Sequence, residues 1–213
     1  MAKKKKKVQK SIEIKRAKRK SGTKRSGGSP GGPSASIPSA AVEFECFVPA
    51  KIFEKGMGSV IFAGKLQNGT VAMSMFLVDT FCLGIKNAFS VVLSPEEYSK
   101  EVQKFAEREA LEPWSPSCCR KLIEEAEEYA MDLGFRPHKD YRKAKKIFED
   151  IDASSCSEEF EYGNNGKPFF ISGPTDSPLR IQQIIHTLTR RLGPDGFNQM
   201  IAISPDDLDW QSE

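Results

Sequence analysis

The chain has 213 residues, which is enough for one ordinary domain and an additional segment. Its 32 lysines and arginines nearly balance its 29 acidic residues, so the protein is neither uniformly basic nor uniformly acidic. The sequence contains no apolar run of about 20 residues, which excludes a membrane-spanning helix, and its charged start lacks the apolar stretch of a secretory signal. We therefore expect a cytoplasmic protein, or a nuclear one if the cell is eukaryotic.

The near balance of charge conceals two segments of opposite sign. Residues 1–25 carry 13 cations and one carboxylate, for a net +12, whereas the rest of the chain carries 19 cations and 28 carboxylates, for a net −9. Residues 26–41 are rich in Gly, Ser and Pro. We expect residues 1–41, which we call the basic arm, to be disordered, because almost no large apolar side chain is present to offset the ordering entropy. The cations of the arm are Lys3, Lys4, Lys5, Lys6, Lys7, Lys10, Lys15, Arg16, Lys18, Arg19, Lys20, Lys24 and Arg25.

The first part of the domain reads as β-strands. Asn68-Gly69 lies between two apolar runs, and this dipeptide is the strongest short signal for a hairpin turn. The run 71–78 is apolar on both faces, which predicts an interior strand. The predicted strands cover residues 42–50, 59–66, 70–79 and 81–93. The strand over residues 81–93 is expected to be interrupted near residues 84–87.

Capping signals then mark the helices. Ser94-Pro95-Glu96-Glu97 predicts a capping box, and Ser115 and Ser177, each followed by proline, predict two further helix starts. Asp140 is expected to cap a short helix. The predicted helices cover residues 95–110, 116–133, 141–148 and 178–192, the last with an apolar stripe of Leu179, Ile181, Ile184, Ile185, Leu188 and Leu192.

A second hairpin is predicted around residues 163–166, with arms over 160–162 and 167–171, and a last short strand over 197–203. Runs of strands followed by helices favour an α+β fold rather than repeated βαβ units. We therefore expect one α+β domain over residues 42–204 and a loose acidic tail over 205–213. A domain of this size can fold without a disulfide or a metal ion.

Five cysteines are present, an odd number, and no pair has the C-x-x-C spacing of a zinc ligand set. We expect reduced thiols, as is usual in a cytosolic protein, and no cofactor or metal. The cysteines are Cys46, Cys82, Cys118, Cys119 and Cys156.

The basic arm is the clearest functional feature of the sequence. Clustered Lys and Arg on a flexible chain bind phosphate backbones by releasing counterions, so nucleic acid or a ribonucleoprotein is the expected partner. A nuclear-import signal, a solubility role and contact with the acidic domain stay open as alternatives. The arm holds no aromatic side chain, so it provides no base stacking and no means of reading sequence.

Asp79 closes an apolar strand and has two interpretations. A carboxylate on a core-facing position is either paired or functional. The first interpretation is that it caps the following turn or pairs with Lys86. The second is that it is a metal ligand of a nuclease-type sheet, which would need further carboxylates from neighbouring elements. Candidates for those further ligands are Glu124, Asp140 and Asp152.

The loop from Arg136 to Tyr141 holds His138 and Asp140, and is the best place in the domain for a site. The alternative is a plain connector between two helices. The second histidine, His186, is expected on the surface of its helix. An anion could also lie at the helix start near residues 173–177, unless Asp176 and Ser177 already cap that terminus.

Three segments resemble a family of conserved bacterial proteins that has no established activity. They are residues 77–89 (LVDTFCLGIKNAF), 129–141 (YAMDLGFRPHKDY) and 166–174 (GKPFFISGP). The resemblance implies one domain over most of residues 42–203 and no particular role. Residues 134–141 also resemble the GFxxHKGY segment of type 2 ribonucleases H, but Asp140 replaces a glycine and the acidic first strand of that family has no counterpart here.

These patterns favour a non-enzymatic binding protein that associates with nucleic acid or the ribosome through its basic arm. One alternative is a metal-dependent nuclease or hydrolase that uses Asp79 and the loop between Arg136 and Tyr141. The other is an adaptor whose acidic domain binds a basic protein.

Overall fold

The structure, a computed structural model, describes residues 41–174 and 176–201, without the side chain of Val42. Residues 1–40 of the basic arm and the acidic tail lie outside the described residues, so the predictions made for them stay predictions. Ala41, which was assigned to the arm, already belongs to the first strand.

The domain is built on a five-stranded antiparallel sheet with the strand order β4-β3-β2-β1-β5. Each strand from β1 to β4 pairs with the next along the chain, and β5 returns to pair with β1. The strands are β1 (Ala41–Pro49), β2 (Met57–Leu66), β3 (Val71–Asp79), β4 (Gly84–Leu93) and β5 (Leu111–Trp114).

Three strand predictions are confirmed. The hairpin turns at Asn68-Gly69, where Gly69 adopts a φ of 84° and the Asn68 side chain accepts the N–H of Thr70 at 3.0 Å. Strand β3 is interior and almost entirely buried. The expected interruption in β4 is a bulge, because Leu77 pairs with Asn87 and Val78 with Ile85, which leaves Lys86 as the extra residue.

Five α-helices complete the described part of the chain, so the α+β class is confirmed. Capping by Ser94, Ser115 and Ser177 is present as predicted, and the Ser94 box is complete. No described helix combines the length and apolar composition that a membrane span requires. The helices are α1 (Ile52–Lys55), α2 (Pro95–Ala106), α3 (Pro116–Leu133), α4 (Tyr141–Ala144) and α5 (Pro178–Leu192), with 3-10 turns at Lys145–Phe148 and Ala153–Ser155.

Two sequence predictions about strands are wrong. Helix α2 ends at Ala106 and β5 follows, where only a connection was expected; Pro113 fits this edge strand because an edge position leaves one side of the backbone unpaired. The second hairpin is reduced to one bridge between Asn164 and Lys167. Strand β6 (Phe169–Ile171) instead pairs in parallel with β7 (Asn198–Met200).

The core lies in three groups around the sheet. One face of the sheet is covered by α3, by α4 and by the 3-10 turn that follows. Phe62 and Phe76 of the sheet share this group with Leu122 of α3. Helix α2 covers the other face above Ile61 and Met73. A third group joins the β3–β4 turn to the end of α3, to β6 and to α5. Both faces of the sheet are therefore closed by helices.

The expectation of five reduced thiols is wrong for Cys118 and Cys156, which form a disulfide with a Cα–Cα distance of 4.9 Å. The pairing depends on the long segment after α4, which lies along α3. Arg120 donates hydrogen bonds to the carbonyls of Glu149 and Ile151, and Lys121 donates to that of Cys156 at 3.3 Å. Sequence spacing gives no sign of this contact, because the two cysteines are 38 residues apart.

Reducing this disulfide should lower the free energy of unfolding by about 2–4 kcal/mol, because it releases a long loop in the unfolded chain. The measurement is chemical denaturation of the protein with and without reductant. The double variant Cys118→Ser/Cys156→Ser should match the reduced protein and should not respond to reductant. Identical unfolding of the wild type in both conditions would contradict a structural role for the cross-link.

Candidate functional site

Asp79 lies at the end of β3 and is only 5% exposed. Its Oδ1 atom accepts the backbone N–H of Phe81 at 3.0 Å and that of Cys82 at 2.8 Å. The side chain therefore caps the β3–β4 turn, which confirms the first interpretation of this residue. Lys86 favours the charged carboxylate electrostatically, although the two side chains form no direct ion pair.

Burial is the main influence on the Asp79 carboxyl and raises its pKa above the ordinary value of 3.8, against the smaller effects of the backbone N–H groups and Lys86. The metal-site interpretation needs several ligand side chains around it. Among residues 41–174 and 176–201, no group of three His, Cys, Asp or Glu side chains is placed to share a metal ion. The hydrolase hypothesis has no ligand set in this part of the chain.

Asp79→Asn and Asp79→Ala should differ sharply in stability. Asparagine keeps an acceptor oxygen and removes a buried charge, so the variant should be close to wild type at neutral pH. Alanine leaves two buried N–H groups without an acceptor, at about 1–3 kcal/mol for each. Because the folded pKa is raised, wild type should lose stability relative to Asp79→Asn as pH rises from about 4 towards 7.

Thermal denaturation across that pH range measures the difference in stability between the wild type and the two variants. The same samples with added Mg²⁺ test the metal-site interpretation of Asp79. A melting temperature that Mg²⁺ raises in the wild type but not in Asp79→Asn would show a metal site and overturn the capping interpretation.

The turn that Asp79 caps is a meeting point for the three segments singled out in the sequence. Gly163 donates its N–H to the carbonyl of Thr80 at 2.9 Å, and Phe169 donates to that of Phe81 at 3.1 Å. His138 donates its N–H to the carbonyl of Ile85 at 2.9 Å. Residues 129–141 and 166–174 thus each form a backbone hydrogen bond to residues 77–89, and side chains from the three segments pack together.

The loop from Arg136 to Tyr141 is a connector stabilised by its own hydrogen bonds. The His138 carbonyl accepts the N–H of Tyr141, and its Nδ1 atom accepts the N–H of Asp140 at 3.3 Å. The expected cap by Asp140 is wrong, because its side chain makes no bond to the helix backbone. Its helical backbone angles (φ −83°, ψ −6°) differ from the extended conformation of a capping residue.

Asp140→Ala should therefore change the free energy of unfolding by less than about 0.5 kcal/mol. Ser115→Ala is the matched comparison, since the Ser115 hydroxyl accepts the N–H of Cys118 at 3.2 Å and its loss should cost about 1 kcal/mol. Both are measured by urea denaturation. An equal loss in the two variants would restore the capping role of Asp140.

A groove of about 700 Å³ lies between the start of this loop and the exposed side of α5. Leu179, predicted in the apolar stripe of the helix, is instead 65% exposed at its rim, whereas Ile184 and Leu188 are buried as predicted. His186 is exposed, as expected, and contributes to the groove. The lining is Gly134, Phe135, Arg136, Leu179, Arg180, Gln182, Gln183, Ile184, His186 and Thr187, and it contains no carboxylate.

The groove belongs to the most basic part of the domain, which the sequence analysis did not single out. Residues 134–146 and helix α5 (Pro178–Leu192) together hold nine of the 19 cations that follow the basic arm, against one carboxylate, Asp140. The signal is present in the sequence, since a 15-residue helix without Asp or Glu stands out in a domain that carries 24 carboxylates against 19 cations over residues 42–204. Only the fold shows that α5 and residues 134–136 face each other.

For residues 173–177, the sequence left open an anion site or capping by Asp176 and Ser177, and capping is confirmed. Asp176 accepts the N–H of Gly173 at 2.8 Å, and the Ser177 hydroxyl accepts the N–H of Arg180 at 3.3 Å. Side chains of the protein therefore already satisfy donors at the start of α5, and no anion site is assigned there.

Comparisons of the chain with protein-family models, with curated proteins and with solved structures find no match. The two resemblances noted in the sequence therefore stay predictions.

Proposed function

We propose that the protein binds nucleic acid or ribonucleoprotein in the cytoplasm, as a non-enzymatic factor associated with RNA or the ribosome. The observation that carries the proposal is the charge division between the basic arm, at +12 over residues 1–25, and the remainder, at −9. A segment with 13 cations in 25 residues attracts phosphate backbones without any fixed geometry, because binding releases condensed counterions.

The acidic domain complements this role. Its net charge repels a phosphate backbone from most of its surface, so the arm supplies the affinity and the domain stays beside the nucleic acid rather than wrapped by it. The candidate catalytic residues have structural hydrogen bonds of their own. Asp79 is turned towards backbone N–H groups inside the domain, and His138 and Asp140 form a local connector.

RNA binding by the full-length protein should weaken steeply with salt. With roughly half of the arm's cations engaged at once, log K should fall against log salt with a slope of about −4 to −6. The measurement is fluorescence anisotropy of a labelled RNA titrated at several salt concentrations. Deleting residues 1–40 should abolish this binding and shift the melting temperature by no more than about 2 °C, because the described core begins in β1.

A full-length variant with the residues of the arm in scrambled order is the matched control. It should bind as the wild type does, because the proposed contact depends on charge density and not on sequence. Tight RNA binding by residues 41–213, a flat salt dependence, or loss of binding on scrambling would each overturn the electrostatic role of the arm.

A further inference from the structure

The groove beside α5 presents two guanidinium groups without a described acidic partner. Arg136 and Arg180 are both exposed, and neither forms an ion pair with a carboxylate in the described part of the chain. In the described part of the chain Lys51, Lys104, Arg120 and Lys145 pair with carboxylates, and a cation without such a pair is common there. The groove differs in that its lining brings two arginines together and contains no carboxylate, which leaves its positive charge available for a ligand.

The uncharged side chains of the groove suit the same type of ligand. Gln182 and Gln183 each offer an amide that both donates and accepts hydrogen bonds, as a base edge or a ribose hydroxyl requires. Arginine guanidinium groups bind phosphate oxygens in a bidentate manner and also stack on flat rings. Leu179, 65% exposed, and the half-buried Phe135 add apolar surface.

We propose that this groove binds a short stretch of single-stranded nucleic acid, with phosphates at Arg136 and Arg180 and with sugar or base atoms at Gln182 and Gln183. The inference rests on the proposed function, because the basic arm must first bring the strand to the domain. A volume of about 700 Å³ is that of a small-ligand site and suits on the order of one or two nucleotides rather than a duplex.

The arm and the groove act as two linked sites. Once the arm is bound, the local concentration of strand near the domain is high, so a contact too weak to be seen alone becomes effective. The arm attracts single strands and duplexes alike, because its cations act on phosphates in either form and it contains no aromatic side chain for base stacking. Preference for a single strand therefore comes from the groove on the domain.

The experiment compares two charge-matched double variants of the full-length protein. Arg136→Gln/Arg180→Gln removes both guanidinium groups from the groove. Lys100→Gln/Arg108→Gln removes the same charge from exposed positions in and after α2, outside the groove. Binding of a labelled single-stranded RNA and of the corresponding duplex is measured by anisotropy at several salt concentrations, after circular dichroism has shown that each variant is folded.

The wild type should bind the single strand more tightly than the duplex, and the groove variant should lose at least about tenfold in single-strand affinity while its duplex affinity stays nearly constant. Its salt slope for the single strand should fall by about 1.4, as two lost phosphate contacts require. The control variant should stay within about twofold of wild type for both ligands.

The possible failures are distinguishable. Equal single-strand and duplex binding by the wild type, or equal effects of the two double variants, would overturn the groove site and leave the arm's role intact. Absent or salt-independent binding by the wild type would overturn the proposed function and the groove site together. Intact RNA binding by the groove variant, with loss of binding to a labelled poly-glutamate probe, would assign the groove to an acidic protein segment instead.

Discussion

The Asp79 carboxylate accepts the N–H groups of Phe81 and Cys82 inside the domain, and the surrounding structure depends on the turn fixed by these two bonds. The carbonyls of Thr80 and Phe81 in that turn accept the N–H groups of Gly163 and Phe169, at the approach to β6 and within it. Gly84, at a φ of 65°, brings the turn so close to α3 that a Cβ atom there would lie 2.7 Å from the Ala126 carbonyl oxygen. An exposed functional carboxylate is incompatible with such packing, which accounts for the structural role of Asp79.

Features set by neighbouring residues were predictable from the sequence, and features set by distant contacts were not. The serine caps at Ser94, Ser115 and Ser177 and the Asn68-Gly69 turn depend on a few adjacent residues, so their chemistry determines the backbone locally. Strand β5 and the parallel pairing of β6 with β7 depend on partners elsewhere in the chain. Asp140 shows the limit of local rules, because its side chain type is right for a cap and its backbone conformation is not.

The same distinction applies to the candidate site and to the cysteines. The cations of residues 134–146 and α5 are visible in the sequence, but they are more than 30 residues apart, and only packing against the β3–β4 turn places residues 134–136 opposite α5. The Cys118–Cys156 bond likewise forms because Arg120 and Lys121 bind the intervening segment along α3. A cytoplasmic location would expose this bond to a reducing thiol pool. Since side-chain bonds from Arg120 and Lys121 also secure the segment, the fold does not depend on the disulfide alone.

The effect of the domain's net negative charge on a nucleic acid depends on where that charge lies. A uniformly negative domain beside a positive arm would serve only to keep the complex soluble, or would compete with nucleic acid for the arm. Helix α5 departs from the acidic character of the rest of the domain, because its charged side chains are all arginines. Under the proposed function, the acidic parts of the domain repel a phosphate strand and the groove of Arg136 and Arg180, whose lining contains no carboxylate, does not. Repulsion elsewhere would then favour the groove as the contact, without any added attraction at the groove itself.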